Sequence, residues 1–155
     1  VLSSTLLCLV IGITDGDTIK VRCGDPGAYQ QLTVRLAAID APERSQPFGT
    51  ASRQHLSALC FNQRASLRAR THDRYGRVVA DVTCAGTDAG AAMVSSGMAW
   101  VYERYVHPAH DAELFTVQAK ARASGVGLWR EADPVPPWMW RKSGKKSTLI
   151  RTPHL

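Results

Sequence analysis

Three acids in this chain stand where a fold alone has no need of them. Asp17 follows the Asp15-Gly16 pair, Asp40 closes an alternating segment, and Glu43 comes just after Pro42. Strand ends and the loops beyond them are where functional side chains gather. Each acid taken singly also fits a turn; their company weakens that reading. Arg35 precedes Asp40 closely, and the run Asp73-Arg74-Tyr75-Gly76-Arg77 brings two more guanidinium groups to a turn between strands. A few carboxylates with a backbone oxygen suit a hard, oxygen-seeking cation such as Ca²⁺ or Mg²⁺. A guanidinium is planar, permanently charged and able to bond two phosphate oxygens at once. A hard cation, a carboxylate that can orient or deprotonate water, and a pair of arginines are the parts needed to hydrolyse a phosphodiester.

The elements that must position these groups are legible from periodicity. Residues 6–14 form a nearly continuous apolar run, residues 18–23 alternate with Ile19, Val21 and Cys23 on one face, and residues 31–39 alternate with Leu32, Val34, Leu36 and Ala38 on one side. Period two is the mark of a strand, so these three segments read as a meander. Parity then carries Asp17 to the face of Ile19 and Asp40 to the face of Leu36 and Ala38, aiming both carboxylates inward at a barrel rim. Residues 48–60 switch to helical spacing, with Ser52, Leu56, Leu59 and Cys60 on one stripe. Two more strands follow, one around Ala65, Leu67 and Ala69, the other around Val78, Ala80, Val82 and Cys84. Asp88 can cap a short helix ending near Gly97, and residues 111–124 read as a longer helix stopped by Gly125. Five short strands with interspersed helices predict a mainly β, α+β domain, a small barrel with helical packing.

The chain has 155 residues, which suits one core. Residues 1–133 are expected to form that domain, and residues 134–155 a Pro/Trp-rich, basic tail that wraps or frays. Nineteen Lys and Arg against thirteen Asp and Glu give a formal charge of +6, which favours a polyanionic partner without identifying it. No run nears the roughly 18 apolar residues of a membrane span, which points to a soluble protein. The chain starts at Val1 rather than Met, leaving room for a removed targeting segment.

Cysteines at 8, 23, 60 and 84 match no tight metal or redox spacing. Cys8 and Cys23 stand equally far from Asp15-Gly16, a pair of the kind that makes two-residue hairpins. They should therefore face each other within disulfide reach, leaving Cys60 to pair with Cys84; two buried thiols are the plainer alternative for the first pair. Disulfides imply an oxidising compartment, so the expected location is secreted or periplasmic. His107 and His110 lack an evident third metal ligand. Arg141, Lys142, Lys145 and Lys146 could track phosphate or simply be solvated, and Trp100, Trp129, Trp138 and Trp140 read as packing residues.

The stretches Ile13-Thr14-Asp15-Gly16-Asp17-Thr18, Val34 through Glu43, and Asp73 through Arg77 closely resemble the signatures of the staphylococcal nuclease family. The similarity extends to Gly97-Met98-Ala99-Trp100-Val101 and Gly127-Leu128-Trp129. It implies a five-stranded OB-fold Greek-key barrel packed with three helices. It also implies a Ca²⁺ held by Asp17, Asp40 and the backbone carbonyl of Ala41, with Glu43 acting on the attacking water and Arg35 and Arg77 holding the phosphate. Arg74, Tyr75 and Tyr105 are the further substrate contacts it suggests. The implied activity is sugar-nonspecific cleavage of DNA and RNA by a monomer, leaving 3′-phosphate ends. The chain departs from the family's best-known member in having Ala rather than Thr at position 41 and a shorter loop after Glu43. The competing expectation is a non-catalytic OB-fold module that holds nucleic acid without cutting it.

Overall fold

A computed structural model describes residues 4–150. Strands β1 (Thr5–Asp15), β2 (Thr18–Cys23) and β3 (Gln30–Leu36) form the expected meander, followed by a two-residue strand β4 (Ile39–Asp40) and helix α1 (Gly49–Cys60). Strands β5 (Arg64–His72) and β6 (Val78–Cys84) come next, then the short β7 (Thr87–Asp88), helix α2 (Ala89–Ser95), the short β8 (Trp100–Val101), and helices α3 (Pro108–Ser124) and α4 (Pro137–Ile150). The sheet order is β3-β2-β1-β5-β6-β7, and a parallel pairing of β3 with β6 at Val34–Val78 closes five strands into a barrel. Closure removes the long exposed edges that a five-stranded sheet would otherwise present.

Inward parity fills the barrel with Val10, Ile19, Val21, Val34, Leu36, Leu67, Ala80 and Val82, while Leu56 of α1 and Met93 and Val94 of α2 plug it from outside. A second cluster joins Trp100, Ala121, Leu128 and Trp129, with Phe48, Val126 and Trp138 packed on it. The described part of the tail therefore wraps, and it does so as a fourth helix where three were expected, while residues 151–155 lie outside the described residues. Pro137 opens α4, as its fixed φ and missing N–H permit at a helix start, and Trp138 stacks on Tyr102 at 5.2 Å and meets Trp100 edge-on at 5.6 Å. Trp100 and Trp129 are buried, as packing residues should be.

Both disulfides are present, Cys8–Cys23 and Cys60–Cys84. The first pair does face across the β1–β2 ladder, but by a different route from the one symmetry suggested. The turn is Gly16-Asp17, with Asp15 opposite Thr18, one residue later than an Asp15-Gly16 turn. Two register shifts in β1, between Val10 and Gly12 and between Ile13 and Asp15, then restore the Cys8–Cys23 register. Each is a bulge that sets one extra residue of β1 against β2.

Candidate active site

Local backbone features fix the acids. Asp17 is the second residue of its turn rather than the first of β2, and that turn is tight against the helix. A Cβ on Gly16 would come within 2.8 Å of the Ala41 Cβ and 2.7 Å of the Ser52 Cβ. Asp40 is not the end of β3 by parity: β3 stops at Leu36, the chain turns through Ala37 and Ala38, and Asp40 lies in β4 opposite Trp100. Ala38 adopts φ 65°, an unfavourable left-handed conformation for alanine. Arg35 staples that turn, its Nη1 donating to the carbonyls of Leu36 and Ile39 at 2.8 Å each, while the Tyr102 N–H donates to the Ala38 carbonyl at 2.8 Å. Gly49 has a similar local necessity, because a Cβ there would overlap the Glu43 carbonyl oxygen that α1 packs against.

Asp17 and Asp40 are both buried, at 6% and 1% exposure, and the structure brings them together. The Nη2 of Arg35 lies 3.6 Å from Asp17 Oδ2 and 3.4 Å from Asp40 Oδ1. Asp17 also accepts from the Ala41 N–H at 2.8 Å and from the Thr18 hydroxyl at 2.9 Å. Burial works to raise the Asp17 pKa, but the Arg35 charge and these hydrogen bonds outweigh it and hold Asp17 below the usual carboxylate range. Its neighbours go the other way. Burial, with the Asp17 charge adding to it, pushes Asp15 up to about 7. Burial also pushes Asp40 to about 6, against the pull of Arg141 and with the Asp17 charge adding.

Arg141 is the residue that the sequence reading did not bring to the site. From the second turn of α4 its Nη1 and Nη2 bond Asp40 Oδ1 and Oδ2 at 3.1 and 2.7 Å, and Nη1 bonds Glu43 Oε1 at 2.7 Å. A usable signal existed: Trp138 and Arg141 are spaced three apart, so on a helix an aromatic anchor and a cation share a face. Glu43 is thus linked to Asp40 through one guanidinium, and its backbone N–H donates to the Gln46 side chain at 3.1 Å.

Arg77 occupies the turn between β5 and β6, immediately before Val78, which pairs with Val34 beside Arg35. Asp73 holds it, accepting from Arg77 Nε at 2.6 Å and from its backbone N–H at 3.0 Å. Partial burial works to raise the Asp73 pKa, and the Arg77 and Tyr75 N–H groups outweigh it and hold it low. Arg74 and Tyr75 share this turn, with Arg74 Nη2 2.8 Å from the Tyr75 hydroxyl. Tyr75 and Tyr105 are exposed, Tyr105 lying edge-on to Tyr102 at 4.9 Å. No described contact ties these three residues or Arg77 to the acid cluster. His107 is the N-cap of α3, its Nδ1 accepting from the Ala109 N–H at 3.2 Å, so α3 begins earlier than the expected residue 111.

The donor set fits a hard cation. Among the described residues no three His, Cys, Asp or Glu side chains form a ready cage, but the expected ligands are only two carboxylates and a carbonyl. The Ala41 carbonyl accepts no hydrogen bond among the described residues, and a guanidinium already bridges the acids as a cation would. All ligands are oxygen, which suits Ca²⁺ or Mg²⁺ rather than a softer metal.

Residues 33–131 match the family described as staphylococcal nuclease homologue. The chain belongs to that family. It is similar to a protein named micrococcal nuclease from Shigella flexneri, at 40% identity over 148 residues that cover 90% of this chain and 82% of that protein. It is also similar to an uncharacterized endonuclease from Haemophilus influenzae, at 40% identity covering 89% of this chain and 74% of that protein. A staphylococcal-like nuclease from Arabidopsis thaliana is 35% identical over 74% of this chain and 34% of that protein. The family match starts at Thr33, so the Asp17 turn is placed at the site by geometry, with Ala41 and Arg35 as its contacts. Family and relatives together make this nuclease-family member a phosphodiester hydrolase.

Proposed function

We propose that the protein is a Ca²⁺-dependent, sugar-nonspecific nuclease that hydrolyses phosphodiester bonds of DNA and RNA and leaves 3′-phosphate ends. The observation that carries this reading is the excess of acid at the barrel rim: among the described residues Asp15, Asp17, Asp40 and Glu43 gather around two guanidinium groups, Arg35 and Arg141. Asp17, Asp40 and the Ala41 carbonyl would hold the cation. Bound there, it would supply positive charge against the phosphate and acidity to nearby water.

The protein's own groups do the rest. Glu43 keeps Oε2 without a partner among the described residues and can take a proton from the attacking water there. As the water oxygen bonds to phosphorus, the bond to the 5′ oxygen breaks and the leaving oxygen takes a proton from solvent. Arg77 has both terminal nitrogens uncommitted among the described residues and can grip two oxygens of the phosphate as it gains charge. It stays protonated, so its contribution is electrostatic. Tyr75, Arg74 and Tyr105 present exposed rings and a cation for the flanking nucleotides. The two disulfides support export to a secreted or periplasmic location.

The test is digestion of plasmid DNA and of RNA with Ca²⁺ or with excess chelator, followed by end-group analysis. Cleavage that needs Ca²⁺ and yields 3′-phosphates is the expected result. Full cleavage in chelator would remove the cation from the reading, and binding without cleavage under all conditions would favour the non-catalytic module.

A further inference from the structure

The two bulges of β1 do more than set a register. Thr14 has no partner in the β1–β2 ladder, and its carbonyl instead accepts from Arg44 Nε and Nη2 at 3.3 and 2.9 Å. The adjacent Ile13 carbonyl accepts from Arg53 Nε at 3.1 Å. These contacts pin two guanidinium groups of different segments over one strand edge without neutralising either. They form the floor and wall of a hollow of about 490 Å³ that Lys20, Ser57 and Phe61 complete, with no carboxylate in its lining.

Lys20, Arg44 and Arg53 make no ion pair among the described residues. Most of their N–H groups therefore face solvent with full charge. Phe61, just past α1, lines the same hollow and is 51% exposed. An uncompensated cluster of cations beside an exposed aromatic ring has the chemistry of a single-strand binder, in which cations track phosphates and a ring stacks a base. The hollow also adjoins the acid cluster through the chain, since Arg44 follows Glu43 and Thr14 precedes Asp15.

We propose that this hollow is a flanking subsite for single-stranded nucleic acid, in which Lys20, Arg44 and Arg53 hold phosphates beyond the scissile one and Phe61 stacks a base. The proposal rests on the nuclease reading and extends it from one phosphodiester to a strand path. A subsite of this kind favours long substrates over short ones, and its benefit is strongest at low salt.

The experiment has a binding arm and a cleavage arm. In the binding arm, anisotropy of a fluorescent 20-nucleotide single strand is titrated with the full chain in chelator at several salt concentrations. The Lys20→Glu/Arg53→Glu variant and, separately, Phe61→Ser are compared with the unaltered protein. The charge variant is expected to lower the salt slope by about 0.7 for each phosphate contact removed, and Phe61→Ser to weaken binding by roughly 5-fold or more. In the cleavage arm, KM for the 20-mer rises in both variants, while kcat/KM for a trinucleotide is unchanged. Equal loss on the two lengths, or an unaltered salt slope together with unaltered 20-mer binding, overturns the subsite. Binding changes without cleavage by any form would keep the subsite and sink the nuclease reading, so the two failures are separable. Thermal midpoints verify folding, and Phe61→Ser, at an exposed ring, keeps the test decisive if the double charge reversal does not fold.

Discussion

Arg70 and Arg141, like Arg35, each sit between two carboxylates, and the contrast between the first two separates a structural ion cluster from a chemical one. Arg70 bonds Asp81 at 2.7 and 3.2 Å and Asp111 at 2.7 and 2.8 Å, tying β5 and β6 to the start of α3. Arg141 makes similarly short bonds to Asp40 and Glu43. Yet Asp111 is held below the usual carboxylate range by the Arg70 hydrogen bonds, whereas Asp40 is pushed up to about 6 by burial. The difference is what else lies near. Asp111 has the His107 backbone N–H as a further donor, while Asp40 has Asp17, with Asp15 beside that in turn. In one cluster hydrogen-bond donors saturate the buried carboxylate; in the other buried carboxylates crowd one another, and crowded negative charge at a cleft is where a cation belongs.

The largest effect that would sharpen this contrast is on turnover. Glu43→Gln keeps size and one acceptor while removing the charge, so kcat should fall by roughly 10² to 10⁴ with substrate affinity little changed, as single-turnover kinetics can show. Asp81→Asn in the structural cluster should leave kcat unchanged. Near-native turnover of Glu43→Gln across neutral and alkaline pH would assign the base to another group.

The two arginines expected to hold phosphate, Arg35 and Arg77, come next, and here the structure divides a pair that the sequence treats alike. Arg77→Lys loses the two-point grip and should lower kcat by about 10² to 10³, with a stability loss of at most about 1 kcal/mol, since an ammonium can remake the half-buried pair with Asp73. Arg35→Lys should lower kcat as well, but it also frees the carbonyls of Leu36 and Ile39 at the strained Ala38 turn. A loss of about 1 to 3 kcal/mol of stability should accompany it. Equal denaturation midpoints for the two variants would contradict the stapling role given to Arg35.

The two bridging arginines can be compared directly. Arg70→Ala strands the nearly buried Asp111 and should destabilise by about 3 to 5 kcal/mol, read by urea denaturation. Arg141→Ala removes the side chain that occupies Asp40 and Glu43, so a divalent cation no longer competes with it. Because Arg141 and Glu43 are each 38% exposed, the gain belongs at the low end of coupling energies: about a 5-fold tighter Ca²⁺ dissociation constant by calorimetry. Weaker Ca²⁺ binding in this variant would make Arg141 a support of the cation site rather than its rival.

Much of this is legible in the sequence. Four of the five barrel strands follow from period-two alternation and β1 from its continuous apolar run, and the acids, Arg35 and the Asp73–Arg77 turn follow from residue type at strand ends. What was not readable has local causes. The two bulges in β1 carry no glycine-turn signature that fixes their number, so the turn fell one residue late while the cysteines still met. Ala38 carries no marker of its positive φ, so parity was carried through it to Asp40. Arg141 lies in a basic stretch whose helical spacing is obscured by Ser143 and Gly144, and the packing of Trp138 on Tyr102 and Trp100 shows which way that helix faces.

The smallest expected effect concerns acid. Asp111 is 4% exposed and its pKa lies below the ordinary value of 3.8 because Arg70 and the His107 N–H hydrogen-bond its charged form. The unfolded chain therefore holds more protons on this residue than the folded one just below pH 4. The stability it contributes is fully present above that pH and is lost as pH falls through the depressed folded value. One proton of difference corresponds to a slope of at most about 1.4 kcal/mol per pH unit. Asp111→Asn cannot titrate, so its stability should be lower near neutrality and should fall less steeply between pH 4 and 2, bringing the two curves together in acid. Urea midpoints at half-unit steps over that range measure both slopes. Parallel curves would mean that Arg70 and Asp81 alone carry the cluster, and the contrast drawn with Asp40 would then rest on packing rather than on the hydrogen bonds that saturate Asp111.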